Sequence, residues 1–214
     1  MSVSPADLLG PYVTVFDVGA FRGDFARACL DEWPECAVHS FEPLEPSPND
    51  QCRFNMSPNG DVTRWHWHPC ALGNQCDVVD INRNVFVPSS SMLPMARLHE
   101  SAFPYTKGSE VVRVGMATLD EFFDVLGDAP RLLKIDVQGY ELEVLKGGRE
   151  TIDMFAAIVL EVSHEPLYDG APTADELAEY LLAAGFLHHS RADALYHPKI
   201  PKLLLQSDEL WVRA

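Results

Sequence analysis

The sequence predicts an α/β fold, a three-layer sandwich whose mostly parallel sheet carries an antiparallel C-terminal edge strand. Three observations predict it. Short apolar runs alternate with helical patterns along the chain, as in strands joined by crossover helices. A turn with two glycines directly follows the first strand, which is where such a sheet binds its ligand. A length of 214 residues with 47% hydrophobic content suits a single domain, expected over 1–214.

The N-terminal half contains four predicted strands and one clear helix. The strands are apolar or alternating runs at 12–18, 36–41, 62–68 and 76–81. A helix is predicted at 24–32, because Pro34 follows it as a stop signal. The segment 46–55 has room for a short helix. The stretch 82–110 has weak periodicity and three prolines, so we expect a long loop that covers the substrate.

The C-terminal half continues the same alternation. Its predicted strands are the apolar runs at 111–116, 132–136, 156–162, 186–189 and 209–213. The last two are expected to pair antiparallel at the sheet edge. Capping boxes that begin with Thr118 and Thr173 predict the starts of two helices. A third helix is predicted at 140–146, where two glycines end it.

Charge and cysteine content exclude several classes of partner. The 32 acidic and 16 basic residues give a net charge of −16, which argues against nucleic acid and against an anionic membrane surface. The five cysteines are odd in number and contain no C-x-x-C pair, which indicates free thiols in a reducing cytoplasm rather than disulfides or a zinc site. The first residues lack the features of a signal peptide, and no window reaches transmembrane length.

Two carboxylates frame the predicted ligand site. The turn after Asp17 contains Gly19 and Gly23, which let the backbone approach a ligand closely. Glu42 ends the second strand, where a carboxylate can accept hydrogen bonds from both hydroxyls of an adenosine ribose. The pair of carboxylates fits an adenosyl sulfonium or a nicotinamide dinucleotide. The middle glycine of the dinucleotide pattern is missing, which favours the sulfonium.

A second polar group follows two later apolar strands. Asp136 ends the run at 132–136, Glu161 lies near the end of the run at 156–162, and His164 follows on the loop. At the carboxyl edge of a parallel sheet these three side chains are expected to converge on one patch of the cleft. Such a cluster supplies a general base or holds a divalent ion. The alternative is that Asp136 only caps the helix that follows it.

The run LLKIDVQGYELEVLKGG at 132–148 resembles the signature of the FkbM family of methyltransferases. Further landmarks of that family occur in the same order: FDVGAFRG at 16–23, FEP at 41–43, Asn55, Ala71-Leu72-Gly73, Ser89-Ser90-Ser91, Thr118-Leu119-Asp120 and IVLEV at 158–162. The resemblance implies a class I, Rossmann-like methyltransferase. Such an enzyme uses S-adenosylmethionine and typically methylates hydroxyl groups of sugars, polyketides or other secondary metabolites.

The resemblance also implies roles for individual residues. The cofactor site is expected to comprise Asp17, Gly19, Ala20, Phe21, Gly23, Glu42, Pro43, Ala71, Leu72 and Asp136. Within it, Asp17 and the two glycines line the methionine part, Glu42 binds the ribose, and Asp136 faces the transferring methyl group. The chain departs from the family at two positions. The family usually has Asn where Phe21 stands and often has Glu where Gln138 stands.

Methyl transfer to a hydroxyl requires that the hydroxyl lose its proton, and two routes fit the residues. In the first, Asp136 or His164 takes the proton directly. In the second, Asp136, Glu161 and His164 hold Mg²⁺, which lowers the pKa of the alcohol. We favour the metal-free route, because the three are not spaced as a metal motif.

Two other classes of protein fit part of the pattern. An NAD-dependent oxidoreductase shares the strand, the glycine turn and the distal acid. A non-catalytic relative that binds the cofactor agrees with the departures at Phe21 and Gln138. The expected partner is a small-molecule hydroxyl acceptor, and the aromatic content permits an oligomer.

Overall fold

A computed structural model describes residues 4–44 and 63–214 of the chain. These residues form ten strands: β1 (Thr14–Val18), β2 (Ala37–Phe41), β3 (Trp65–His68), β4 (Ala71–Leu72), β5 (Asp77–Asn84), β6 (Ser109–Ala117), β7 (Arg131–Ile135), β8 (Ala157–Ser163), β9 (Phe186–Tyr196) and β10 (Leu204–Arg213). They also form four α-helices: α1 (Asp24–Glu32), α2 (Arg97–Ala102), α3 (Glu141–Lys146) and α4 (Ala174–Ala183). The short helix expected at 46–55 lies outside the described residues.

The main sheet confirms the predicted fold class. Its order is β3-β2-β1-β7-β8-β10-β9; neighbours from β3 to β8 are parallel, and β10 is antiparallel to β8 and β9. The predicted antiparallel C-terminal pair is therefore present, with β9 at the edge and both strands longer than predicted. From β1 the chain proceeds to β2 on one side and later returns to β7 on the other. This reversal opens a crevice at the carboxyl ends of β1 and β7.

Helices cover both faces of the main sheet, because successive residues of each strand point to opposite sides. One face of β1 and β2, carrying Val15 and Val38, packs with α1. The opposite face, carrying Phe16 of β1, packs with α3 and α4. The buried residues of the helices are Phe25, Ala26, Cys29 and Leu30 on the first face and Val144, Leu145, Leu177 and Leu181 on the second. These are the three predicted layers.

The segment 82–110 is more regular than the loop that its composition predicts. β5 pairs antiparallel with β6 from Asp77 to Asn84. The two ends of the segment 82–110 therefore belong to strands. With β4 they form a second, three-stranded sheet in the order β4-β6-β5. Between the strands lie α2 and two 3₁₀ turns at Val87–Ser89 and Pro104–Thr106.

The two capping boxes behave differently. The Thr173 hydroxyl accepts the backbone N–H of Glu176, and the Glu176 carboxylate accepts the N–H of Thr173, so this predicted box forms. The predicted box at Thr118 is wrong: its side chain makes no cap hydrogen bond, and a 3₁₀ helix follows. The physical reason is a competing contact. The N–H of Glu121, which a capping box assigns to the Thr118 hydroxyl, donates instead to the Thr118 carbonyl oxygen at 3.3 Å.

Two further findings concern the whole described chain. No helix within 4–44 or 63–214 is both long and apolar enough to cross a membrane. Cys29, Cys36, Cys70 and Cys76 are free thiols.

Candidate active site

A cavity of about 310 Å³ opens at the carboxyl ends of β1, β2 and β7. This is the position where the strand order reverses and where open α/β sheets bind ligands. Eight of the ten residues expected at the cofactor line it: Gly19, Ala20, Phe21, Glu42, Pro43, Ala71, Leu72 and Asp136. Asp17 and Gly23, the other two, lie behind this lining.

Glycine is required in the turn after β1 for two different reasons. Gly19 has a φ of +77°, and a Cβ there would lie 1.8 Å from the carbonyl oxygen of Asp136. The absence of a side chain therefore lets the end of β1 touch the end of β7. Gly23 has the same φ and begins α1; a Cβ there would lie 2.3 Å from the Trp65 ring. Gly23 thus permits packing between α1 and β3 and is not in the cavity lining.

Glu42 is positioned by two backbone groups. Its Oε2 accepts the N–H of Phe21 at 2.9 Å, and its Oε1 accepts the N–H of Leu44 at 2.8 Å. Burial raises the pKa of Glu42 to about 7, although both backbone donors favour the ionised form. Each carboxylate oxygen keeps further acceptor capacity. Glu42 can therefore accept hydrogen bonds from ligand hydroxyls that enter the cavity.

Asp17 lies beneath the cavity in a buried ion pair. Its side chain is 0% exposed, and its Oδ1 lies 3.3 Å from Nζ of Lys134. Lys134 does line the cavity, and its Nζ also lies 3.7 Å from Oδ2 of Asp136. Burial opposes the charged ammonium, but Asp17 and Asp136 outweigh it and raise the pKa of Lys134. Asp17, which was expected to line the methionine part of the site, therefore does not line the cavity and instead contacts the lining residue Lys134.

The structure brings Asp136 and Glu161 together through one amide group. Nε2 of Gln138 donates to Oδ1 of Asp136 at 2.8 Å and to Oε2 of Glu161 at 2.6 Å. Nε2 of Gln206 also donates to Oε2 of Glu161, at 2.7 Å. Burial raises the pKa of Glu161 well above its usual value, and the charge of Asp136 adds to this rise. Asp136 lies at the cavity with its side chain 30% exposed.

His164 does not join these two carboxylates, which corrects the expectation that all three converge. Its Nε2 lies 2.7 Å from Oγ of Ser207 and 3.8 Å from Oε1 of Glu209. Three positions separate His164 from Glu161, and side chains alternate along an extended segment, so the two point to opposite faces of the sheet. Burial lowers the pKa of His164, and Arg191 adds to this effect.

The residues present do not fit a Mg²⁺ site. Within the described ranges, no group of three or more His, Cys, Asp or Glu side chains is placed to hold a metal ion. The position between Asp136 and Glu161, where a bridging cation would stand, holds the amide N–H groups of Gln138. Because an N–H donor and a cation both seek the carboxylate oxygens, they compete for the same place.

Among the lining residues that the expected site lacks are three polar side chains, Lys134, Gln138 and Ser91, of which only Lys134 carries a clear sequence signal. Lys134 interrupts an apolar strand, and a charge in such a place is costly unless it is paired or used. Gln138 lines the cavity, but nothing in its sequence neighbourhood indicates which groups its amide meets. Ser91 lines the cavity as well, and its Oγ donates to the Gln138 carbonyl at 2.7 Å.

A Rossmann-like sheet with a glycine turn and two strand-end carboxylates, Glu42 and Asp136, is the arrangement expected of a class I methyltransferase. Residues 17–187, more than half of the chain, match the family model of the methyltransferase FkbM domain. The chain therefore belongs to the FkbM methyltransferase family. The predicted family and the predicted class, an S-adenosylmethionine-dependent methyltransferase, are confirmed.

The chain is also similar to two individual proteins. It is 27% identical over 201 residues to the 2-O-methyltransferase NoeI of Sinorhizobium fredii (strain NBRC 101917 / NGR234), covering 86% of this chain and 79% of that protein. It also resembles the crystal structure of methyltransferase FkbM from Methylobacillus flagellatus KT, with a TM-score of 0.51 and 18% identity. That match covers 93% of this chain and 43% of the crystallised chain, and it supports the fold.

Proposed function

We propose that this protein transfers the methyl group of S-adenosylmethionine to a hydroxyl oxygen of a small molecule, such as a sugar, a polyketide or another secondary metabolite. The observation that carries this proposal is the placement of Asp136, a partly exposed carboxylate in the same cavity as Glu42. The similarity to a 2-O-methyltransferase supports an oxygen acceptor. Oligomeric state and cytoplasmic location stay predictions.

The residues of the cavity fit the cofactor. In the proposed arrangement, Glu42 accepts hydrogen bonds from the ribose hydroxyls, and the turn at Gly19, Ala20 and Phe21 lies against the methionine part. The buried apolar pair at Ala71 and Leu72, with Pro43, flanks the adenine. Bound S-adenosylmethionine supplies an electrophilic methyl group on a sulfonium that leaves readily, so the protein mainly orients the reactants.

Asp136 is the proposed general base. A hydroxyl oxygen attacks a methyl group efficiently only as its proton departs, and a positioned carboxylate can accept that proton. Lys134 at 3.7 Å and the Gln138 amide at 2.8 Å both contact the Asp136 carboxylate and hold it in place. His164 is left out of this mechanism because its Nε2 contacts Ser207 on the opposite face of the sheet.

The segment 82–110 contributes to the wall of the cavity that contains Asp136. From the segment 82–110, Val87, Pro88, Ser90, Ser91 and Met92 line the cavity. We propose that this segment covers the bound acceptor.

The first test is calorimetric titration of the protein with S-adenosylhomocysteine, with NAD as the control ligand and each with and without Mg²⁺. We expect micromolar binding of S-adenosylhomocysteine alone, weakened in Glu42→Gln, while the exposed variant Asp80→Asn binds like the native protein. Binding of NAD instead would favour the oxidoreductase class. Absence of S-adenosylhomocysteine binding by folded protein contradicts the proposed cofactor site.

The second test measures transfer of a labelled methyl group to a panel of sugars, polyketides and other alcohols. Asp136→Asn should lower kcat by about 10²- to 10⁴-fold on an accepted alcohol, the usual range for loss of a general base. Its affinity for S-adenosylhomocysteine should stay within about threefold of the native value, because the change removes one proton acceptor and keeps the shape of the side chain. Cofactor binding without transfer to any member of the panel would favour the non-catalytic alternative.

A further inference from the structure

Gln138 has an unusual backbone conformation, and both the nitrogen and the oxygen of its amide have hydrogen-bond partners. Its φ is +56°, in the left-handed region that residues other than glycine rarely adopt. Both N–H groups of its amide are needed for Asp136 and Glu161, which lie 2.8 and 2.6 Å from Nε2. Its Oε1 lies 2.9 Å from the hydroxyl of Tyr168. The two donors and the acceptor of this amide therefore all have partners.

Two separate parts of the fold hold Gln138 in place. Tyr168, on the segment after β8, is 1% exposed and fixes the amide oxygen. Ser91, on the segment between β5 and β6, donates to the backbone carbonyl of Gln138 at 2.7 Å. A strained backbone conformation persists only where surrounding contacts determine it, and such positions cluster where function requires fixed geometry. The amide is thus a fixed part of the site.

The charges around the amide explain why a donor is needed there. Asp136 and Glu161 share one small region, and Glu141 and Asp208 add further negative charge near Glu161, whereas Lys134 opposes it. Two neighbouring carboxylates repel each other unless a positive or donating group stands between them. A divalent cation is one such group, and an amide with two N–H groups is another.

We propose that Gln138 is a positioning residue that stands in place of a bridging cation, so that its amide ties Asp136 to Glu161 and holds the Asp136 carboxylate at the cavity. The catalytic part of this inference rests on the proposed function, in which Asp136 is the base. The electrostatic part stands on the contacts alone. It follows that a carboxylate at position 138 turns this region into a cation site.

The first experiment tests the electrostatic part by thermal unfolding, without any measurement of activity. The variants are Gln138→Glu and, as a matched control, Gln75→Glu, which adds the same charge beside one surface carboxylate, Asp77. With Ca²⁺ or Mg²⁺ at about ten times the dissociation constant, we expect the Tm of Q138E to rise by about 3 to 6 °C. The native protein and Q75E should change by less than about 1 °C.

Two results of this unfolding experiment would overturn the inference. A rise in the Tm of the native protein with either ion, at least as large as that of Q138E, overturns the inference, because a cation would then bind with the amide in place. No rise in folded Q138E also overturns it. If Q138E does not fold, calorimetric titration of the native protein with Ca²⁺ and Mg²⁺ decides, since the inference requires that neither ion binds.

The second experiment tests the positioning role by kinetics. Gln138→Ala should lower kcat at least about tenfold and move the acidic limb of the pH–rate profile, while KM for S-adenosylmethionine stays within about twofold. As a control, Gln75→Ala removes an exposed amide that contacts Asp77 outside the cavity lining, so its kcat and pH profile should stay close to native values. An unchanged pH profile in Q138A contradicts the positioning role. If S-adenosylhomocysteine does not bind the native protein, the proposed function is contradicted. The effect of Ca²⁺ or Mg²⁺ on the Tm of Q138E still tests the electrostatic part of the inference.

Discussion

Replacing Lys134 with Met should destabilise the protein strongly, because it leaves a buried charge without its partner. Asp17 is 0% exposed, and its ion-pair partner, Nζ of Lys134, lies 3.3 Å away. Removing one member of a buried ion pair typically costs about 3 to 5 kcal/mol. For a chain of this size, each kcal/mol lowers Tm by roughly 2 to 4 °C, which gives a loss of about 6 to 20 °C.

The assay is urea unfolding followed by tryptophan fluorescence, with the m value held as a check on two-state behaviour. Two further proteins calibrate the result. The double variant Asp17→Leu/Lys134→Met should recover most of the loss, because well-packed apolar residues can replace a buried pair at little cost. Lys146→Met breaks a partly exposed pair with Glu143, whose side chains are 40% and 26% exposed, and should cost less than about 1 kcal/mol.

One pattern of results would refute the reasoning. If K134M unfolds at the same urea concentration as K146M, then the buried pair of Lys134 and Asp17 stabilises the protein no more than the pair of Lys146 and Glu143 does. If the double variant is no more stable than K134M, the loss comes from packing around the Lys134 side chain and not from the unpaired carboxylate. Either result would also contradict the view that Asp17 holds the lining residue Lys134 in place through their ion pair.

Three other predictions follow from single contacts. Gly19→Ala should abolish S-adenosylhomocysteine binding and lower Tm more than Gly170→Ala does. Both glycines have positive φ, but only a Cβ at Gly19 would meet a backbone oxygen. Equal losses of Tm in the two variants would contradict this prediction. Burial raises the pKa of Glu42 to about 7, and its carboxylate is a better acceptor than the protonated acid, so calorimetric affinity for S-adenosylhomocysteine should fall several-fold from pH 8 to pH 6. Glu42→Gln should make this affinity independent of pH. An affinity of the native protein that does not change with pH would rule out Glu42 as the titrating group. Thr173→Ala should lower the free energy of unfolding in urea by about 1 kcal/mol, whereas Thr118→Ala should change it by less than about 0.5 kcal/mol, since only the Thr173 hydroxyl caps a helix. A large loss in T118A would be inconsistent with the absence of a cap at Thr118.

The residues that end parallel strands could be predicted from the sequence. Gly19, Glu42 and Asp136 each follow an apolar run, and the carboxyl ends of parallel strands meet at one edge of the sheet. The periodicity of the runs is a local property, so it indicates where each strand ends without knowledge of its neighbours. For the same reason the sequence indicated most strands and helices, and it placed eight of the ten expected cofactor residues at the cavity.

Side-chain partners between distant elements could not be predicted in the same way. The alternation rule could have separated His164 from Glu161, but it does not say that Ser207 receives the imidazole. The Thr118 box satisfies the sequence pattern, yet the Thr118 hydroxyl caps nothing, while the neighbouring Asp120 accepts the N–H groups of Glu150 and Thr151, thirty or more residues further along the chain. Such choices depend on which donors the folded chain brings near, and each donor competes with the local one.

By itself, the sequence determined the fold class, the family and the edge of the sheet where the candidate site lies, because periodicity, turn glycines and strand-end carboxylates can be recognised in the sequence alone. Only the tertiary structure decided how those carboxylates are used. It directed Asp17 to Lys134 beneath the cavity and placed the Gln138 amide between Asp136 and Glu161. The physical reason is that electrostatic and hydrogen-bond energies act over a few ångströms, and those distances exist only after strands far apart in sequence have packed side by side.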